Sequence, residues 1–135
     1  MVPDVIRRAR LQALMARQLD NWREAWSAYS SSSPMPPLRF RNGLVFHSGP
    51  GDSAGFLFFE IFVNGCYRRG LPSAPQGDVV DIGANIGAFT LDAAARFPAA
   101  TVHAYEPDPQ TCAVLRRNVV VNGLSSRVRV WNEAV

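Results

Sequence analysis

Lysine is absent from the chain, and all 14 basic residues are arginine. Arginine in place of lysine, beside many alanines, reads as a bias of the encoding genome before it reads as an anion-binding surface. Cysteine is scarce, with only Cys66 and Cys112. They form neither a Cys-x-x-Cys pair nor a His/Cys cluster, so no metal site is expected, and two ordinary thiols in a reducing compartment is the plain reading. Long apolar runs are missing too. The greasiest segment, residues 56–63, is interrupted by Glu60 and falls short of the roughly 20 residues of a membrane span. Arg7, Arg8 and Arg10 are followed by no uninterrupted apolar stretch, so the start does not read as a secretory signal, and the expectation is a cytoplasmic protein with no membrane partner. Charge of one sign is modest at +3 overall, and the excess sits in residues 1–70, where nine arginines face five acids. Without a basic run interleaved with aromatics, no nucleic-acid partner is expected.

What is present is 135 residues that are 47% hydrophobic and 10% aromatic. At that length about two-thirds of the unfolded surface can be buried, so a core needs neither disulfides nor metal. From residue 4 to 27 the apolar side chains Leu11, Met15, Leu19, Trp22 and Trp26 recur at helical spacing and predict one amphipathic helix packed on its own domain. The serine run 30–33 with Pro34, Pro36 and Pro37 ends it. Asn42-Gly43 predicts a β-hairpin of 38–41 and 44–47, with His47 an exposed strand residue. Residues 48–55 read as a loop and 56–64 as a short helix.

From Asp78 the texture changes. Strand-like runs at 78–82, 101–106 and 127–131 alternate with helix-like runs at 86–96 and 109–122, which implies a βαβαβ unit with parallel strands. The consecutive Val79 and Val80 predict a first strand covered on both faces. Asn122-Gly123 should close the second helix as a left-handed cap.

The segment that carries chemistry is Val79-Val80-Asp81-Ile82-Gly83-Ala84-Asn85-Ile86-Gly87-Ala88-Phe89-Thr90. An acid ends a strand, and glycines at 83 and 87 bracket a tight turn that opens a helix, whose free N–H groups should face that turn. A dinucleotide fingerprint requires Gly-x-Gly-x-x-Gly, and Asn85 and Ala88 stand where two of those glycines belong. A carboxylate two residues before the first glycine suits instead a ligand with a cationic amine beside a small carboxylate, such as the methionine end of S-adenosylmethionine. Glu106 ends the second strand, where an acid can accept both hydroxyls of a ribose. Asn132-Glu133 ends the third, at the same edge, where an adenine would lie. Thr90, inside the helix, is expected to bond back to its own backbone.

These residues, with Tyr105-Glu106-Pro107-Asp108, Leu115 to Asn118, Val121-Asn122-Gly123 and Asn132 to Val135, resemble the FkbM-type class I methyltransferases. The likeness extends weakly upstream through Phe59 to Phe62 and Cys66 to Arg68. It implies an α/β fold: a Rossmann-like sheet, truncated after its third strand, with a first region (1–55) of helix and hairpin and a second (56–135) forming the first half of the methyltransferase domain. It implies S-adenosylmethionine as cofactor and O-methylation of a hydroxyl on a sugar, polyketide or similar small molecule. Carried over by position, Gly83, Ala84, Asn85 and Gly87 line the methionine side, Asp81 contacts it directly or through water, Glu106 takes the ribose, and Asn132 and Glu133 neighbour the adenine.

The chain ends at Val135, just after the third strand. It is therefore expected to be the N-terminal part of such an enzyme, with impaired activity alone, no catalytic base among its residues, no His/Asp or paired-carboxylate constellation, and an open first strand suited to self-association. The alternative is a non-catalytic binding or interaction module that retains the cofactor loop.

Overall fold

The computed structural model describes residues 4–49 and 77–135. The loop and short helix expected over 48–64 fall almost entirely outside the described residues, as does Cys66; Cys112 is a buried free thiol.

The amphipathic stripe at the start of the chain folds as two helices rather than one: α1 (Asp4–Gln18) and α2 (Trp22–Ser31). The break comes from contacts distant in sequence. Leu19 forms an antiparallel bridge to Phe40, Asp20 N–H donates to the Arg39 carbonyl (2.8 Å), and Arg41 N–H donates to that of Gln18 (2.9 Å). Asn21 completes the junction, accepting the Arg39 N–H and donating to the Pro37 carbonyl. The stripe still faces inward, since Leu11, Met15 and Leu19 are buried and Trp22 and Trp26 pack against the core.

β1 (Leu38–Arg39) and β2 (Val45–Phe46) pair antiparallel, with Leu38 opposite Phe46. Asn42-Gly43 makes the turn as expected, with Gly43 at φ 90. His47 lies just beyond β2 and is half-buried, not exposed, and burial together with the nearby Arg117 charge lowers its pKa.

β3 (Val79–Ile82), α3 (Ala88–Arg96), β4 (Val102–Tyr105), α4 (Pro109–Val121) and β5 (Val128–Trp131) follow in the expected alternation. The three strands are parallel in the order β3-β4-β5. The boundaries have local causes. Asp108 accepts the Thr111 N–H at the start of α4, with Pro109 in its first turn. At its end Gly123 (φ 66) and Leu124 donate to the Val120 and Val119 carbonyls, the left-handed cap foreseen from Asn122-Gly123. Arg127 reaches the carbonyls of Ala94, Phe97 and Ala100, satisfying the end of α3.

The register puts Val79, Asp81, Val102, Ala104, Val128 and Val130 on one face of the sheet. That face meets Leu91 of α3 and Leu115 and Val119 of α4 in one core that also takes in Leu11, Met15, Leu38 and Phe46. On the opposite face Val80 is 58% and Ile82 63% exposed. The first strand is thus covered on one face, not two: both flanking helices pack on the same side of the sheet, and β3 is the edge strand among the described residues. No helix among the described residues is long and apolar enough to cross a membrane.

Candidate functional site

Asp81 projects from β3 toward α3 and is only 8% exposed. Thr90 Oγ1, on the first turn of α3, donates to its Oδ2 at 2.5 Å. The Thr90 hydroxyl therefore reaches across to the strand instead of back to its own helix, because this face of α3 is pressed onto the sheet and Thr90 is fully buried. Burial raises the Asp81 pKa, the Thr90 hydrogen bond opposes that shift, and the charge of Glu106 adds to it.

The turn after β3 holds three residues at positive φ: Gly83 (72), Asn85 (52) and Gly87 (94). Asn85 tolerates this region because its short amide bonds locally, accepting the Ile86 N–H at 2.7 Å. The two glycines answer to different demands. A Cβ on Gly83 would meet nothing within 4 Å, so the turn is open there, whereas one on Gly87 would stand 2.5 Å from Leu115 Cδ1 in the core.

Every N–H of this turn is bonded within the chain. Gly83 and Ala84 donate to the Tyr105 carbonyl (3.0 and 2.9 Å) and Gly87 to that of Ala84 (2.9 Å). Asn85 donates to Glu106 Oε2 (2.8 Å) and Ile86 to the Asn85 side chain. The donors of residues 83–87 are therefore already taken. What the edge offers is acceptors.

Glu106 follows β4 and is 8% exposed, its Oε1 accepting the Asp108 N–H at 3.0 Å. Asn132, just past β5, donates to the carbonyls of Glu106 (2.8 Å) and Pro107 (2.9 Å). Its amide therefore ties the ends of β4 and β5 together. Glu133 is exposed one residue further on. Asp81, the turn 83–87, Glu106 and Asn132 are thus gathered at the C-terminal edge of three parallel strands, where ligands of open α/β sheets bind.

A His/Asp pair does exist, contrary to expectation: His103 Nε2 lies 3.0 Å from Asp78 Oδ2. Parallel pairing of Val80 with His103 brings it about. It sits at the opposite, N-terminal end of β3. Asp81 and Glu106, both placed at the C-terminal edge from the sequence, also stand close enough as a carboxylate pair, which was not expected, for the charge of Glu106 to raise the Asp81 pKa. Among the described residues no group of three His, Cys, Asp or Glu could hold a metal. Of the side chains around the site, Thr90 was assigned the wrong partner from the sequence and Asn118 was given no role. The signal for Asn118 was its place on the buried stripe of α4 with Leu115 and Val119.

The chain is similar to the 31-O-demethyl-FK506 methyltransferase FkbM of Streptomyces tacrolimicus, with 44% identity over 99 residues, which are 72% of this chain and 38% of the relative. It is similar to the methyltransferase sdnD of Sordaria araneosa, with 43% identity over 95 residues, 70% of this chain and 36% of that protein. Among solved structures it resembles NcsB1, an O-methyltransferase from neocarzinostatin biosynthesis in complex with S-adenosylmethionine, at a TM-score of 0.50 and 19% identity, covering 61% of this chain and 26% of that one; this likeness is one of fold. No family model matches. The chain spans less than two-fifths of the length of these two curated relatives. Over the matched span the chain is thus similar in sequence to FkbM and a second methyltransferase, and its parallel sheet with the glycine turn shares the fold of the methyltransferase structure it resembles.

Proposed function

We propose that the chain binds S-adenosylmethionine at the C-terminal edge of its sheet and serves methyl transfer to a hydroxyl of a small molecule such as a sugar or polyketide. The observation that carries the reading is the electrostatic character of the edge. Two nearly buried carboxylates, Asp81 and Glu106, flank a turn whose N–H groups are all engaged internally. A pyrophosphate would meet acceptors and negative charge there, whereas a ligand bearing an ammonium, a sulfonium and two ribose hydroxyls meets what it needs.

In this reading Gly83, Ala84, Asn85 and Gly87 shape the methionine side. Asp81 attracts the ammonium directly or through water, and Glu106 accepts the ribose hydroxyls while keeping its backbone partners. Asn132 and Glu133 border the adenine. The cofactor when bound supplies an activated methyl group on sulfur, so the protein's task is alignment of the acceptor oxygen with it. The relatives' names support methyl transfer, and FkbM's own name places it on an oxygen.

Calorimetry with S-adenosylmethionine tests the reading. The expected dissociation constant is on the order of 0.1 mM or weaker, about 5 kcal/mol of binding. Gly83→Val, whose side chain enters open space, should abolish binding, and equal affinity in that variant would remove the turn from the site. Glu106→Ala should lose roughly 1.5–3 kcal/mol. A 2′-deoxy analogue should bind the unmodified chain more weakly but the Glu106 variant no worse. Tight binding without turnover of any hydroxylated acceptor would favour the non-catalytic module instead.

A further inference from the structure

Helix α4 and its C-cap residue present two asparagines, Asn118 and Asn122, one turn apart, to the N-terminal hairpin. Asn122 Oδ1 accepts the Val45 N–H and its Nδ2 donates to the Val45 carbonyl, both at 2.7 Å. Asn118 repeats the pattern on His47, accepting its N–H at 2.8 Å and donating to its carbonyl at 3.2 Å. One helical turn advances about 5.4 Å and two strand residues about 6.6 Å, so the pair of carboxamides serves as a partner strand for residues 45 and 47. Each amide makes one further bond: Asn122 Nδ2 donates to the Asn118 carbonyl at 2.6 Å, whereas Asn118, which is fully buried, donates from Nδ2 to the Ile86 carbonyl at 2.8 Å.

A second contact joins the same two segments. A Cβ on Gly49 would stand 2.6 Å from Ile86 Cγ2, so the backbone leaving the hairpin lies directly on the side chain at the centre of the candidate turn. Ile86 is itself buried and adjoins Asn85, whose N–H is held by Glu106.

We propose that Asn118 is a positioning residue for the cofactor turn: it locks residues 47–49 onto Ile86 and thereby sets the backbone from Gly83 to Gly87. The proposal rests on the S-adenosylmethionine reading for its functional meaning, and it makes the N-terminal hairpin part of the binding apparatus. Asn118 acts only through Ile86. Removing its amide leaves the Ile86 carbonyl without that donor in a buried place, and the turn is then free to settle differently.

Asn122 provides the control, because its amide ties the same hairpin to the helix and bonds the Asn118 carbonyl but makes no bond to Ile86. Amide NMR spectra of the ligand-free chain should show the Gly83 and Gly87 resonances displaced in Asn118→Ala and unmoved in Asn122→Ala. S-adenosylmethionine affinity should fall about tenfold or more in Asn118→Ala but stay within about twofold in Asn122→Ala. Equal losses in the two variants, or unmoved glycine amides in Asn118→Ala, would overturn the proposal. Should Asn118→Ala fail to fold, Gly49→Ala presses on Ile86 with Asn118 intact: displaced Gly83 and Gly87 amides uphold the brace, and unmoved ones overturn it. If the unmodified chain binds no S-adenosylmethionine, the function reading falls, and the amide contrast still decides whether the brace exists.

Discussion

Adding a single methyl group at Gly87 is expected to cost far more than adding one at Gly83, although both glycines have positive φ. At Gly83 (φ 72) the new Cβ meets nothing within 4 Å, so the cost is the left-handed backbone alone, about 1–2 kcal/mol. At Gly87 (φ 94) the same strain applies, and the Cβ also lands 2.5 Å from Leu115 Cδ1. Leu115 is fully buried, so its methyl cannot swing aside without disturbing the core, which adds about 1–3 kcal/mol. Gly87→Ala should therefore lose about 2–5 kcal/mol in all, read as a lower denaturant midpoint at constant slope. Leu115→Ala alone costs about 2–5 kcal/mol. In that background the clash is gone, and Gly87→Ala should add only the backbone strain of about 1–2 kcal/mol. Equal losses for the two glycines, or strict additivity in the double variant, would refute the claim that Gly87 is glycine because of Leu115.

Two further expectations concern Asp81. Its pKa is raised in the folded chain, so the folded state holds the proton to higher pH than the unfolded state does. Stability should decline as pH rises from the ordinary carboxylate range through that raised value, and Asp81→Asn should lack the decline; parallel midpoint-against-pH curves would refute it. Thr90→Val removes the hydrogen bond that opposes the shift, so the Asp81 carboxyl should titrate higher still in a carbon-detected NMR titration, and an unchanged titration would show that the Thr90 contact carries no weight.

The parts of the fold legible in the sequence are those with local causes. The three parallel strands fall inside the β-branched runs that announced them, and α4 starts and stops where Asp108-Pro109 and Asn122-Gly123 said it should. The split between α1 and α2 was not legible, because Leu11, Met15, Leu19, Trp22 and Trp26 keep helical spacing straight through it. What breaks the helix is Phe40 bridging to Leu19, with Asn21 fastened to residues 16 and 18 positions away. At the candidate site the gathering of Asp81 and Glu106 follows from strand order, so spacing revealed it. That Asn85 would spend its N–H on Glu106, and Thr90 its hydroxyl on Asp81, depends on distances between elements that no spacing rule supplies. The pairing of Asp78 with His103 was hidden because it depends on the β3–β4 register, which sets His103 opposite Val80.

Loops are usually the first parts of a domain to surrender their amide protons to solvent. The turn from Gly83 to Gly87 is built the other way round. Three of its five N–H bonds run to the end of β4, two to the Tyr105 carbonyl and one to the Glu106 carboxylate, so they open only when the end of β4 parts from β3. In hydrogen exchange this loop should keep time with the sheet beneath it, its Gly83 and Asn85 amides lasting as long as those of β3 despite lying at the surface. For an arriving ligand the consequence is entropic. The ordering entropy of the turn is lost when the chain folds, so association requires no ordering of this turn.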